Sequence, residues 1–189
     1  MLSAIYTVII GTYFALLRLM ALLRLNSRAR LWVAERKANP LAFPKKRSGE
    51  KRYWIHCASL GEFDQARPVL ERLEKTGARI FISFFSPSGY KQVAHRFSQY
   101  HFFYLPADLP YKMNKLFRDL QPDILLLVKY ELWYNCLRQA KNKTFPAIFS
   151  QLTFTRSRAI LNGPFVTFTN LYFICLRKFL YWITAPKNY

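Results

Sequence analysis

The chain has 189 residues, with 29 Lys and Arg against 10 Asp and Glu, a formal net charge of +19. A hydrophobic content of 52% excludes a disordered polyelectrolyte and is sufficient for one domain with a core. The charge predicts a polyanionic partner: nucleic acid, an anionic membrane surface or a phosphorylated substrate. Cys57, Cys136 and Cys175 lie too far apart for a disulfide framework or a metal site, so we expect a reduced, cytosol-facing protein.

The N-terminus carries a membrane signal. Residues 4–17 are uncharged and mostly apolar, and the basic residues follow this run. The run is shorter than the roughly 20 residues that span a bilayer, and a secretory signal peptide has the opposite charge order. We therefore predict an uncleaved anchor over residues 1–25, either shallow or spanning, with the chain on the cytoplasmic face. An amphipathic helix packed on the domain is the alternative.

Residues 26–51 are expected to form a basic, proline-containing linker. Within it, Glu35 is the only acid among the first 49 residues, and Arg36 follows directly. A solvated charge pair is the simple interpretation of Glu35. The functional alternative is a general base that acts on a membrane-embedded acceptor.

Residues 52–186 alternate between strand and helix patterns, which predicts an α/β fold with a parallel, doubly wound sheet. The strands are predicted at 52–59, 79–86, 101–105, 123–128, 145–149 and 181–185. The helices are predicted at 62–76, 90–97, 111–120, 132–143 and 156–180, with a turn at 87–89. Ligands of such sheets lie beyond the carboxyl ends of the strands, so the loops there hold the candidate residues.

The first of these loops contains Ser59, Gly61 and Glu62. Ser59 and Gly61 would let the backbone of the turn approach a ligand, and the following helix N-terminus favours an anion. Glu62 opens the helix, where a carboxylate is favoured. A helix start without any chemistry explains the same residues equally well.

Three further loops carry polar candidates. The hydroxyl groups of Ser86 and Ser88 could donate to a phosphate or a sugar, or simply belong to a turn. Asp108 could contact a sugar hydroxyl or cap a helix. Glu131 follows the most apolar strand, a position that favours function over a helix-starting role.

The sequence lacks the short motifs that mark several enzyme classes. The phosphate-binding G-x-x-x-x-G-K-[ST], the dinucleotide-binding G-x-G-x-x-G and the nucleophile turn G-x-S-x-G do not occur. His56, His95 and His101 lack the spacing of metal ligands, so we expect structural roles for them and no metal or cofactor.

Five sequence blocks in fixed order resemble one enzyme family. They are Glu35-Arg36, W-I-H-x-x-S-x-G-E at 54–62, Y-L-P-x-D-x-P at 104–110, E-L-W-x-N at 131–135 and Arg156-Ser157. Together they resemble the bacterial 3-deoxy-D-manno-octulosonic acid (Kdo) transferases, which add Kdo to the lipid A precursor at the inner membrane.

The resemblance implies a fold, a reaction and roles for named residues. The fold would be the Rossmann-like N-terminal half of a GT-B glycosyltransferase, with the domain that binds CMP-Kdo absent from this chain and the chain alone inactive. Glu35 would be the base of an inverting transfer to lipid IVA. The acceptor-binding set would be Arg36, Ser59, Gly61, Glu62, Ser86, Ser88, Asp108, Glu131 and Arg156.

Two rival functions belong to other classes. One is a non-catalytic, membrane-anchored basic domain that binds acidic lipid. The other is a nucleic-acid binder, which the apolar N-terminus and the lack of a recognisable nucleic-acid module disfavour.

Overall fold

The computed structural model describes residues 2–128, 133–142 and 147–150, which form six helices and five strands. The helices are α1 (Leu2–Leu22), α2 (Ser27–Ala38), α3 (Leu60–Glu74), α4 (Pro87–Ala94), α5 (Pro110–Leu120) and α6 (Tyr134–Asn142). The strands are β1 (Arg52–Cys57), β2 (Arg79–Phe84), β3 (His101–Tyr104), β4 (Ile124–Val128) and β5 (Ala147–Ser150).

The five strands form one parallel sheet in the order β3-β2-β1-β4-β5. Chain order reverses between β1 and β4, which pair in register with Trp54 opposite Leu125. This is the doubly wound, Rossmann-like arrangement, and the α/β prediction is confirmed. The reversal places the conventional ligand crevice beyond the carboxyl ends of β1 and β4.

Helices cover both faces of the sheet, so its central strands are buried on each side. Along β1, Ile55 packs with Phe63 of α3 on one face, while Trp54 packs with Phe117 of α5 on the other. All of β4 is buried, which explains the unbroken apolar run ILLLV. The two cores hold the carboxyl edge of the sheet in a fixed position.

The predicted elements between residues 52 and 128 are confirmed with small shifts at their ends, except at the turn 87–89. These residues form the first turn of α4. Pro87 suits that place because the first helical residue needs no N–H partner. A Cβ on Gly89 would lie 2.9 Å from the Phe84 ring and 3.0 Å from the Leu60 nitrogen, so this glycine permits close packing of α4 on α3. The elements predicted at 156–180 and 181–185 lie outside the described residues.

The N-terminal third differs most from expectation. The first half of the predicted 26–51 linker is helix α2, whose N-cap Asn26 accepts a 3.0 Å hydrogen bond from the Ala29 N–H. Phe14 of α1 and Trp32 of α2 form a small apolar core with Ala107, just beyond β3. The basic composition of this segment favoured a linker. The helix has little apolar periodicity to reveal it, because only two of its residues, Ala29 and Trp32, are buried. Both N-terminal helices therefore pack against the carboxyl edge of the sheet.

Candidate active site at the carboxyl edge

Helix α2 lies across the ends of β2 and β3 and is fixed there by Arg36. Its Nη2 donates to the carbonyl oxygens of Phe85 at 2.9 Å and Leu105 at 3.4 Å, one residue beyond each strand. Phe85 and Leu105 each directly follow the last residue of a strand, so Arg36 ties α2 to the ends of β2 and β3. The contact brings the neighbouring Glu35 to the tips of the sheet.

The Glu35 carboxylate is held by two partners from different elements. Lys91 Nζ of α4 lies 2.7 Å from Oε1, and the Tyr104 hydroxyl at the end of β3 donates to Oε2 at 3.1 Å. The hydrogen bond from Lys91 is the main cause that lowers the pKa of Glu35. The lowered pKa keeps Glu35 ionised at neutral pH. Its side chain is 16% exposed, so the carboxylate remains within reach of a ligand. Such a group can take a proton from a hydroxyl.

The Arg36 guanidinium is packed among aromatic rings. Its carbon lies 3.6 Å from the Trp32 ring centre and 4.8 Å from that of Tyr104. Burial lowers the pKa of Arg36, although an arginine remains charged at neutral pH. No carboxylate of the described residues forms a salt bridge with it, and its Nε is buried without a hydrogen-bond partner there.

A cavity of about 480 Å³ lies beside this arginine, between the N-terminal helices and the loop after β3. Its charged lining consists of Arg18, Arg36, Lys37 and Lys112, and we call it the basic hollow. Apolar walls from Trp32 and Pro106 complete it. The hollow is suited to an anion that several cations can contact at once.

An apolar groove of about 680 Å³ lies on the other side of Trp32. Side chains of α1 such as Leu16 and Met20 line it, and it reaches Ser86 and Ser88 at the start of α4. The groove is suited to a hydrocarbon chain that enters alongside α1. The two cavities thus offer neighbouring sites for an anionic and an apolar group.

The two serine-containing turns are adjacent. The Ser86 N–H donates to the Ala58 carbonyl at 3.0 Å, next to Ser59. The hydroxyl oxygens of Ser86 and Ser88 lie 2.7 Å apart, and the side chains of Ser59 and Ser86 cap neither helix that they precede. A Cβ on Gly61 would meet nothing within 4 Å, so there is open space above this turn. These groups are placed to contact a ligand.

The carboxylates of Glu62 and Asp108 instead accept hydrogen bonds from backbone N–H groups of the protein. Glu62 Oε2 accepts a 2.5 Å hydrogen bond from the Ala58 N–H and closes the turn before α3. Asp108 is fully buried and accepts from the N–H groups of Asn135 at 2.9 Å and Cys136 at 2.8 Å. Asp108 therefore caps a helix, but this helix is α6 and not the one that follows it in sequence.

The β1 residues His56 and Cys57, just before the first turn, have structural roles. His56 is buried, with Nδ1 2.8 Å from Ser83 Oγ, and it accepts from Trp133 Nε1 at 3.2 Å. Because Nε2 accepts, the ring proton is on Nδ1. Cys57 is buried, which raises the pKa of its thiol. Within the described residues, no group of His, Cys, Asp and Glu side chains could hold a metal ion.

Some site residues were predicted and others were missed. Glu131 and Arg156 lie outside the described residues. Lys91 and Lys112 were missed, because each enters the site only through helix packing. Tyr104 lies in the Y-L-P-x-D-x-P block, and its position as the last residue of β3 was the available signal.

Comparisons with known proteins point to one enzyme family. Residues 30–167 match the family model described as 3-Deoxy-D-manno-octulosonic-acid transferase (kdotransferase). A relative from Haemophilus influenzae, named 3-deoxy-D-manno-octulosonic acid transferase, is 32% identical over 101 residues, 51% of this chain and 23% of the relative. A protein of the same name from Aquifex aeolicus is 30% identical over 94 residues, 48% of this chain and 26% of the relative. Each alignment thus spans about a quarter of the relative, and the family model covers Glu35 and the strands of the sheet. This chain belongs to the 3-deoxy-D-manno-octulosonic-acid transferase family.

Proposed function

We propose that this chain is the acceptor-side half of a GT-B glycosyltransferase that moves Kdo from CMP-Kdo to lipid IVA. One observation carries the proposal: an ionised carboxylate, Glu35, lies at the carboxyl edge of a Rossmann-like sheet beside a basic hollow. Membership of the family makes sugar transfer the reaction to consider. The resemblance of the Glu35-Arg36 block gives Glu35 its role.

The chemistry of Glu35 would be that of a general base. It would take the proton from an acceptor hydroxyl as that oxygen attacks the anomeric carbon of Kdo. The bond from this carbon to the phosphate oxygen of CMP would break on the opposite side, so that the carbon inverts and CMP leaves. Lys91 and Tyr104 support this role, because they keep the carboxylate ionised and fix both of its oxygens.

The acceptor proposed here has acyl chains and phosphates, and the surroundings of Glu35 suit both. The apolar groove beside α1 is suited to an acyl chain. Residues Ser3–Leu22 form a helix long and apolar enough to cross a membrane, which supports attachment to the bilayer, on the cytoplasmic face in this proposal. Of the predicted acceptor residues, Arg36, Ser59, Ser86 and Ser88 lie along this edge.

The donor would be bound by a second α/β domain. The matched segment spans 23% and 26% of the two relatives, in line with a site divided between two domains. We therefore expect the 189-residue chain, assayed alone with CMP-Kdo and lipid IVA, to form no Kdo-lipid product. Product formation by the purified chain would contradict the division of the site.

A chimaera tests the role of Glu35. Residues 30–167 of this chain would replace the matching segment of the Haemophilus influenzae relative, and transfer from CMP-Kdo to lipid IVA would be measured by mass spectrometry. We expect Glu35→Gln to lower kcat by about 100-fold or more, the usual loss of a general base. The matched control is Glu71→Gln, because Glu71 is an exposed acid on α3.

The controls separate a dead site from an unfolded one. Circular dichroism and membrane binding of the Glu35→Gln chimaera should equal those of its parent. Near-normal transfer by that variant would remove Glu35 as the base. An inactive parent chimaera that still folds and binds anionic vesicles would favour the rival function, a non-catalytic membrane-bound basic domain.

A further inference from the structure

The Tyr104 ring at the end of β3 is held by packing from two helices. It stacks on Tyr90 of α4 with 4.3 Å between the ring centres, and the Arg36 guanidinium of α2 lies over it. The residue is only 2% exposed. Its hydroxyl therefore has a fixed position at the Glu35 carboxylate before any ligand binds.

The two oxygens of Glu35 have partners of different mobility. Oε2 accepts from the hydroxyl of the buried Tyr104, whereas Oε1 faces Nζ of Lys91, a half-exposed side chain with a flexible stem. An ammonium group that leaves Oε1 is hydrated again at the surface, so its departure costs little. A buried hydroxyl that leaves its acceptor loses a hydrogen bond. A ligand can therefore replace Lys91 more easily than Tyr104.

Tyr104 acts on Glu35 only as a hydrogen-bond donor. Burial and the Glu35 carboxylate raise the pKa of Tyr104, so its hydroxyl keeps its proton at neutral pH. Among the described residues, the titratable groups that face Glu35 are Lys91 and Tyr90 of α4 and Tyr104 itself, with Arg36 as its chain neighbour. Tyr104 orients the carboxylate and does not take a proton in its place.

We infer that Tyr104 is a positioning residue of the transfer: it stays bonded to Oε2 when the acceptor binds, while Lys91 leaves Oε1 to the acceptor hydroxyl. This role rests on the proposed function, because it takes Glu35 as the base. The acceptor O–H bond breaks, its proton passes to Oε1, and the oxygen's electron pair forms the bond to the anomeric carbon of Kdo. The bond from this carbon to the phosphate oxygen breaks, and CMP leaves with that electron pair.

A titration of Glu35 in the full 189-residue chain tests the inference. The carboxyl carbons of glutamate would be labelled with carbon-13 and followed by NMR in detergent micelles, with and without lipid IVA. The Glu35 signal is the one that Glu35→Gln removes. The bonds from Lys91 and Tyr104 both lower the pKa of Glu35. Lys91→Gln should therefore raise that pKa only without lipid IVA, and Tyr104→Phe should raise it in both conditions.

The matched control is Tyr100→Phe. Tyr100 lies just before β3, at the opposite edge of the sheet, and its hydroxyl is bonded to Glu74. The variant removes the same group from a tyrosine–carboxylate pair that is remote from the site, so the Glu35 titration should not change. An unchanged titration in Tyr104→Phe would overturn the positioning role. A Lys91→Gln shift that persists with lipid IVA would overturn the assignment of Oε1 to the acceptor.

A second variant covers the case in which Tyr104→Phe loses its native circular dichroism. The amino acid 3-fluorotyrosine at position 104 keeps the ring and the hydroxyl but has a more acidic, stronger donor. It should lower the pKa of Glu35 with and without lipid IVA, since a stronger hydrogen bond favours the ionised carboxylate. An unchanged pKa of Glu35 would contradict the positioning role.

Transfer by the chimaera gives an independent result. Tyr104→Phe should lower kcat about tenfold with KM nearly unchanged, because its hydroxyl orients the base and does not bind the acceptor. The acid limb of kcat, which reports the bound state, should move to higher pH in Tyr104→Phe and stay in place in Lys91→Gln. Normal transfer by Glu35→Gln would contradict the proposed function. Glu35-dependent transfer at the parental rate in Tyr104→Phe would contradict the positioning role alone.

Discussion

Individual side chains at the carboxyl edge divide into those that serve a ligand and those that serve the fold. Glu35 keeps some exposure and is paired with Lys91, which is itself 52% exposed and can move. Asp108 is fully buried and saturated by protein donors. Both are acids near strand ends, and only the first can exchange its partner for a substrate without leaving a buried charge alone.

Replacement of Lys91 should change the pH dependence of transfer. Lys91 is the main cause of the lowered pKa of Glu35, so Lys91→Gln raises that pKa toward its ordinary value of 4.5. The base acts in its ionised form, and activity falls as the pH drops through its pKa. The acid limb of kcat/KM in the chimaera should therefore move to higher pH.

The appropriate control is Lys115→Gln, because Lys115 is an exposed lysine whose carboxylate partner, Asp119, is remote from the site. Its acid limb should coincide with that of the parent. If the Lys91→Gln limb also coincided with the parent, Glu35 would not be the group that limits transfer at low pH.

At the scale of elements, Asp108 joins three parts of the chain. Its carboxylate accepts from the first turn of α6, and the Tyr6 hydroxyl of α1 donates to it at 2.8 Å. The Asn135 side-chain amide also donates to the Asp108 carbonyl at 2.7 Å. Helix α1 is therefore attached to the domain through a buried polar network as well as apolar packing.

Removal of this carboxylate should destabilise the fold. Asp108→Ala leaves the buried N–H groups of Asn135 and Cys136 without acceptors, so we expect a loss of about 3 kcal/mol in the free energy of unfolding. Tyr6→Phe removes one hydrogen bond and should cost about 1 kcal/mol. Urea unfolding followed by tryptophan fluorescence in detergent measures both, with Asp119→Ala, which removes surface ion pairs to Lys115 and Arg118, as the control. A loss below about 1 kcal/mol for Asp108→Ala would contradict the capping role.

These contacts show why the sequence predicts the sheet better than the site. The apolar runs of β1 and β4 are local sequence patterns, and they identify the strands because both faces of each strand are buried. The partners of Asp108 are 27 and 102 residues away, so its role depends on packing that no local pattern encodes. Glu35 was found because it is a solitary acid in a basic segment, whereas Lys91 is one lysine among many.

At the scale of the molecule, α1 is docked along its length and does not stand apart from the domain. Tyr6 near its start bonds to Asp108, Phe14 at its middle is 3% exposed, and Arg18 near its end lines the basic hollow. The opposite face is apolar and open, with Val8 67% and Ile9 60% exposed. This one-sided pattern is typical of a helix that lies in the plane of a leaflet.

An in-plane helix and a spanning helix place the start of α1 on different sides of the membrane. We expect the in-plane arrangement, because spanning would break the Tyr6–Asp108 hydrogen bond and expose the small core around Phe14. Single cysteines at Ser3→Cys and Leu25→Cys, before and after the docked segment, would be treated with a membrane-impermeant maleimide. In inside-out vesicles both should be labelled, and in intact spheroplasts neither should be. The parent chain, with its three native cysteines, gives the background; two of them, Cys57 and Cys136, are buried. Labelling of Ser3→Cys only in spheroplasts would show that α1 crosses the bilayer and that the docked arrangement is wrong in the membrane.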